Sequence, residues 1–88
     1  MRASLVVPTL NEERSIAGVL RTFRAAAEEA NRTLFRDAPL DWEVLVVDGR
    51  STDRTREIAA AEGARVIDEP RRGYGRAYKT GFREARAR

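Results

Sequence analysis

The chain has 88 residues, 42% hydrophobic and 35% charged, which limits it to one small domain; its apolar residues lie in blocks, as in a packed core and not a disordered coil. It contains neither Cys nor His, which excludes disulfides, thiolate chemistry, histidine general bases and the usual zinc ligands, and no apolar run is long enough for a membrane span or a signal-peptide core. The net charge of +3 has a local origin: Arg71, Arg72, Arg76, Lys79, Arg83, Arg86 and Arg88 crowd the C-terminal stretch, where they suit an anionic partner (nucleotide phosphate, nucleic acid or lipid headgroup) or simply a solvated helix face.

Residues Ala3 to Val7 predict a short buried strand that ends at Pro8-Thr9, since proline cannot donate to a central ladder. Asn11 is a suitable N-cap, and Glu12-Glu13 suit the positive end of a helix dipole. Ile16, Val19, Leu20, Phe23 and Ala27 then form one apolar face of a helix from about Glu12 to Asn31. After a surface connection, Trp42 to Val47 predict a second strand, and the uninterrupted run Val44-Leu45-Val46-Val47 suits burial on both faces of a parallel sheet. That strand ends at Asp48, followed by a tight turn at Gly49 and the helix-starting cluster Ser51-Thr52-Asp53. A shorter helix spans Asp53 to Glu62 with Ile58 and Ala59 inward, and Gly63 is placed to end it in a left-handed turn. Ala64 to Ile67 give a third strand, Asp68 to Gly75 a glycine-containing loop, and Tyr78, Gly81, Phe82 and Ala85 the apolar face of a last helix. The order βαβαβα with right-handed crossovers is an α/β, Rossmann-like three-layer unit with parallel strands.

In such a unit every strand-to-helix loop emerges at the carboxyl edge of the sheet, where open α/β folds collect ligands. Those loops are Thr9 to Glu12, Asp48 to Asp53 and Glu69 to Gly75. Asp48 is the leading candidate, because a carboxylate at a strand end can accept hydrogen bonds from a base N–H or a ribose hydroxyl. Asn11 and Glu12 also have a reading as helix-starting residues, Asp53 reads as a helix-starting residue more than as a ligand, and Gly73-Tyr74-Gly75 alone is a weak signal.

Three segments in order, Val6-Val7-Pro8-Thr9-Leu10-Asn11-Glu12-Glu13, Val46-Val47-Asp48-Gly49-Arg50-Ser51-Thr52-Asp53-Arg54-Thr55, and Arg72-Gly73-Tyr74-Gly75-Arg76-Ala77 with Gly81, resemble the start of family-2 inverting glycosyltransferases of the GT-A fold. The dolichol-phosphate mannose synthase and glucosyl-phosphoglycerate synthase branches are the most similar. Gly49 stands where many members carry a second carboxylate, and Tyr74 where a lysine is common.

The resemblance implies that Pro8, Leu10 and Glu12 line a nucleoside pocket, with Glu12 on the ribose or base. Asp48 would bond the base, Ser51 would shape the pocket, and Arg72, Gly73 and Arg76 would face the nucleotide from the third strand. It also implies a nucleotide-diphosphate sugar donor and a divalent cation (magnesium or manganese) for the complete enzyme. The acceptor would be a polyprenyl phosphate, phosphoglycerate or a glycan. Family members place an Asp-x-Asp metal site on a strand beyond the position of Arg88, and the acceptor pocket and catalytic carboxylate later still. The chain is therefore expected to be the incomplete, N-terminal nucleotide-binding portion, inactive alone, with no catalytic residue and no metal ligand of its own. Its expected location is cytoplasmic, at the inner membrane surface, with self-association through an exposed sheet edge. The competing readings are a non-catalytic nucleotide-binding or assembly module and a small basic nucleic-acid-binding protein. The lack of interleaved aromatics in the basic stretch argues against nucleic acid as a partner.

Overall fold

The computed structural model describes residues 2–70 and 74–85, with the side chains of Tyr74 and Tyr78 outside that set. The elements run β1 (Arg2–Thr9), α1 (Ile16–Thr33), β2 (Asp41–Asp48), α2 (Thr55–Ala61), β3 (Arg65–Asp68) and α3 (Tyr74–Glu84). The sheet order is β1-β2-β3 and both pairings are parallel, with Thr9 beside Asp48 and Asp48 beside Asp68 at the carboxyl edge. The Rossmann-like unit expected from the element order is the one found.

The central strand explains the architecture. Val44, Leu45, Val46 and Val47 are all buried, so both faces of β2 need cover. On one face Ile16 and Leu20 of α1 and Ala59 of α2 close over Val44 and Val46, with Leu5, Val7 and Val66 flanking them. Phe23 meets Trp42 edge-on at 5.5 Å between ring centroids, a favoured aromatic geometry. Glu62 ties the two helices together. The hydrogen bond from Arg21 is the main cause that holds its carboxyl below the usual range; burial opposes it, and the nearby charges of Arg21 and Arg24 add to the lowering. On the opposite face α3 lies across β1 and β2. The winding of the chain thus reverses after β3, the topology that opens a ligand crevice at the carboxyl ends of strands.

The structure corrects four local expectations. Pro8 does not end β1, since it lies within the ladder beside Val47. The reason is direction: Thr9 turns its carbonyl toward β2, where it accepts the Gly49 N–H at 2.9 Å, so the preceding residue points its nitrogen at the outer edge. Asn11 is not the N-cap of α1. It sits at φ 54, a turn over Glu12 follows, and the helix starts only at Ile16. Val19 rotates to the rim while Ile16 and Leu20 take the interior. On α3 the buried face is Ala77, Thr80 and Gly81, whereas Phe82 is 70% exposed. Gly81 sets that rotation, because its backbone touches the sheet directly: a Cβ built there would lie 2.2 Å from Val6 Cγ1. Gly63 ends α2 as expected, at φ 90.

Candidate functional site

Asp48 is fully buried and is the centre of the carboxyl edge. Its Oδ1 accepts from the Thr9 hydroxyl at 2.7 Å and the Ser51 hydroxyl at 2.6 Å, and its Oδ2 accepts from the Ser51 N–H at 2.8 Å. Arg56 Nε stands 3.6 Å from Oδ2. These are three hydrogen bonds out of about four acceptor positions on a carboxylate, with the Arg56 guanidinium standing beside Oδ2 beyond hydrogen-bond distance. The carboxylate holds the first and second loops together from beneath.

Above it the two loops are cross-bonded residue by residue. The Asn11 N–H donates to Ser51 Oγ at 2.8 Å, and the Ser51 hydroxyl in turn donates to Asp48. The Glu12 N–H donates to Thr55 Oγ1 at 2.8 Å, and the Thr55 hydroxyl in turn donates to Asp53. Asp53 also accepts from the Thr55 N–H at 2.9 Å and the Glu13 N–H at 3.1 Å. In return Asn11 Oδ1 accepts from the Thr52 N–H at 2.8 Å, and Glu13 Oε2 from the Arg54 N–H at 3.2 Å. Two hydroxyl-to-carboxylate relays thus receive the amides of the first loop. Asn11 uses its left-handed conformation to reach across, a backbone state its short polar side chain tolerates.

In the turn after β2 the left-handed residue is Arg50, at φ 62. For a long side chain that costs on the order of 1 kcal/mol. Arg50 reaches Asp68 at 3.6 Å, and Arg56 approaches the same carboxylate at 4.0 Å. On the third strand's loop, Glu69 is buried, donates its N–H to the Asp48 carbonyl at 2.8 Å and accepts from Thr80 Oγ1 at 3.0 Å. Thr9, Asp48 and Glu69 therefore share one edge, as the topology required.

Of the residues the sequence nominated, Pro8 is half-buried in the ladder and Ser51 is buried on Asp48. Leu10 is 54% exposed and lies beside Gly49. Glu12 is half-buried, its carboxylate touched by the Ser15 hydroxyl at 3.5 Å. Arg76 is exposed in the first turn of α3. Arg72 and Gly73 lie outside the described residues. Thr9 and Thr55, both buried, were missed. Thr55 falls in the Ser/Thr/Asp cluster that reads as a plain helix start, so no local signal set it apart.

Burial raises the Asp53 carboxyl, but the hydrogen bonds from the Thr55 side chain and N–H and from the Glu13 N–H outweigh it and hold the group below its ordinary value. A depressed carboxyl contributes stability that is present above the unfolded value and lost as the pH falls through the folded one. Asp53→Asn is thus expected to lower stability at neutral pH by an amount that shrinks below about pH 4, the unfolded Asp range. Melting temperatures of both proteins across the acid range test this, and a gap that does not change with pH would refute it.

Among the described residues no three Asp or Glu side chains converge. With Asp48 committed to the loops and Asp68 to Arg50 and Arg56, these residues do not fit a divalent cation, which takes several free oxygen ligands.

A parallel sheet whose winding reverses, with polar loops locked at its carboxyl edge, defines an open, Rossmann-like α/β unit. The glycosyl transferase family 2 model matches residues 4–88, and the chain belongs to that family. A low-salt glycan biosynthesis hexosyltransferase of Haloferax volcanii is 46% identical over 83 residues, covering 94% of this chain and 18% of the relative. A dolichyl-phosphate hexose transferase of the same organism is 39% identical over 72 residues, covering 82% and 26%. Among solved structures, glucosyl-3-phosphoglycerate synthase of Mycobacterium tuberculosis, crystallised with Mn2+, UDP and glucosyl-3-phosphoglycerate, superposes with a TM-score of 0.69 at 30% identity, covering 96% of this chain and 29% of that one. The chain thus spans less than a third of the length of each of these relatives.

Proposed function

We propose that the carboxyl edge binds the nucleoside diphosphate of a sugar donor, as part of a glycosyltransferase that transfers the sugar with inversion. The observation that carries this is the pair of cross-bonded loops, which fix the backbone of Asn11 and Glu12 while leaving the Leu10 side chain exposed and that of Glu12 half-exposed to a ligand. Leu10 offers an apolar surface to the base beside Pro8. Glu12 offers a carboxylate to a ribose hydroxyl, and Arg76, with Arg72 and Gly73, a cationic approach to the phosphates. Asp48 and Ser51 act from below, positioning the first loop. The relative's UDP and manganese make a uridine nucleotide and a divalent cation the first ligands to test. The cation would be held by residues of the complete enzyme other than those described here. The acceptor is a polyprenyl phosphate, a phosphoglycerate or a glycan. No helix among the described residues is long and apolar enough to cross a membrane.

Calorimetric titration with UDP and GDP tests the site. Saturable binding of one nucleotide is expected, with Leu10→Ser and Glu12→Gln each weakening it about tenfold, the scale of one hydrogen bond or one buried apolar contact. Glu12→Gln should also narrow the preference for the ribonucleotide over its deoxy analogue. No binding of either nucleotide, or variants that bind like the parent, would overturn the assignment. Sugar transfer by this chain alone, with or without manganese, is not expected; metal-dependent turnover would show that the site has been misplaced.

A further inference from the structure

The cations of this protein are not distributed evenly with respect to their partners. Arg2, Arg21, Arg24, Arg32, Arg50, Arg54, Arg56 and Arg65 each stand within 4.0 Å of a carboxylate. Among the described residues, Arg76, Lys79 and Arg83 of α3 make no ion pair, and all three are exposed. The other described cations without an ion pair, Arg14 and Arg36, sit singly on separate segments. At about 100° per residue, Arg76, Lys79 and Arg83 fall within roughly 60° of one another on the helix, and Phe82 continues the same arc. Ala77, Thr80 and Gly81 hold the opposite side against the sheet. The helix therefore turns a row of uncompensated cations and a 70% exposed aromatic ring away from the core.

We infer that this outer face of α3 is a docking surface for an anionic lipid bilayer. Charge complementarity selects a polyanion, and the geometry narrows the choice. The row runs about 10 Å along the helix at 1.5 Å per residue, away from the carboxyl edge, so one nucleotide's phosphates at that edge do not span all of it. An aromatic ring flanking cations on an amphipathic helix fits the headgroup boundary, where the ring enters the acyl region and the cations meet lipid phosphates. The helix lies on the sheet with its axis exposed along one side, so it can lie flat on a surface. Arg76, at the edge end of the row, is shared with the nucleotide assignment; Lys79, Phe82 and Arg83 carry this inference without it, and it would bring a lipid-borne acceptor to the same surface.

Vesicle flotation tests it, comparing vesicles of phosphatidylcholine alone with vesicles that also contain phosphatidylglycerol. Adsorption to the anionic vesicles only, weakening as salt is raised, is expected. At about fivefold per cation near an anionic leaflet, Lys79→Gln with Arg83→Gln should weaken it roughly 25-fold. Arg14→Gln with Arg36→Gln, the same change in net charge, should weaken it far less. Phe82→Ser should reduce adsorption while leaving its salt dependence unchanged. Circular dichroism and nucleotide titration of each variant separate loss of this surface from loss of the fold or of the nucleotide site. Equal losses from the two charge pairs, no adsorption by the parent, or an oligonucleotide that binds the parent and is lost with Lys79 and Arg83 while vesicles are not, would each overturn the inference.

Discussion

Asp48→Ala is expected to destabilise the protein by about 3 kcal/mol and to weaken nucleotide binding by about 1–3 kcal/mol in whatever fraction stays folded. The substitution removes the acceptor for the Thr9 hydroxyl and for both donors of Ser51, all of them buried. Each donor stranded without water costs on the order of 1–3 kcal/mol, and some relief comes from hydroxyls that rotate. For a domain of this size, whose total stability is on the order of 5–10 kcal/mol, that is a severe loss. Asp48→Asn should be milder for Oδ1, which can still accept, yet it turns an amide donor toward the Ser51 N–H. Asp53→Ala should weaken nucleotide binding less than Asp48→Ala, since Asp53 serves the start of α2 and the outer rim of the clasp. Urea unfolding and calorimetric titration of all three variants decide the matter. Parental stability in Asp48→Ala, or equal binding losses at Asp48 and Asp53, would remove Asp48 from the centre of the site.

Gly81→Ala is expected to destabilise by about 1–2 kcal/mol, against the direction of helix propensity. Alanine in a helix interior is favoured over glycine by about 1 kcal/mol, so on an open helix face the substitution would stabilise. Here the new methyl would lie 2.2 Å from Val6 Cγ1 and 3.3 Å from Val47 Cγ2. Val6 is β-branched with a stiff χ1, so it cannot fold its methyl away, and overpacking of this kind costs about 1–3 kcal/mol before the backbone shifts. Gly81→Val should be worse. Combining Gly81→Ala with Val6→Ala should recover much of the loss, because the two changes share one space. A stabilised single variant, or a strictly additive pair, would show that α3 does not rest on the sheet as described.

How much of this was legible in the sequence depends on the range of the interaction concerned. The strands were, because Val44 to Val47 is a four-residue apolar run that only a doubly covered strand accommodates. Gly63 was, because a helix end needing φ 90 has a local chemical signature. Asp48 was placed correctly at the strand end, but its partners were not. The acceptors that receive the amides of Asn11 and Glu12 lie about 40 residues away in the chain, and no local pattern encodes them. Asn11 therefore looked like an N-cap, since the same side chain serves either purpose. Phe82 failed for a similar reason: periodicity counted it as apolar, while the rotation of α3 is set by the absence of a side chain at Gly81. Pro8 failed because a ladder's direction at one residue depends on strand parity and on which side its neighbour lies.

The clasp between the first two loops bears on the thermodynamics of whatever enters between them. Loops at ligand sites commonly lose freedom only when the ligand arrives, and that loss is subtracted from the affinity. Here the amides of Asn11, Glu12, Glu13, Thr52, Arg54 and Thr55 are already engaged, so the ordering of this wall occurs at folding. Its entropy is charged to the stability of the domain, where the sheet and its helices can offset it. A ligand meeting these loops encounters a surface with little left to lose, and its heat-capacity change should reflect the apolar area it covers rather than any coupled ordering of the chain.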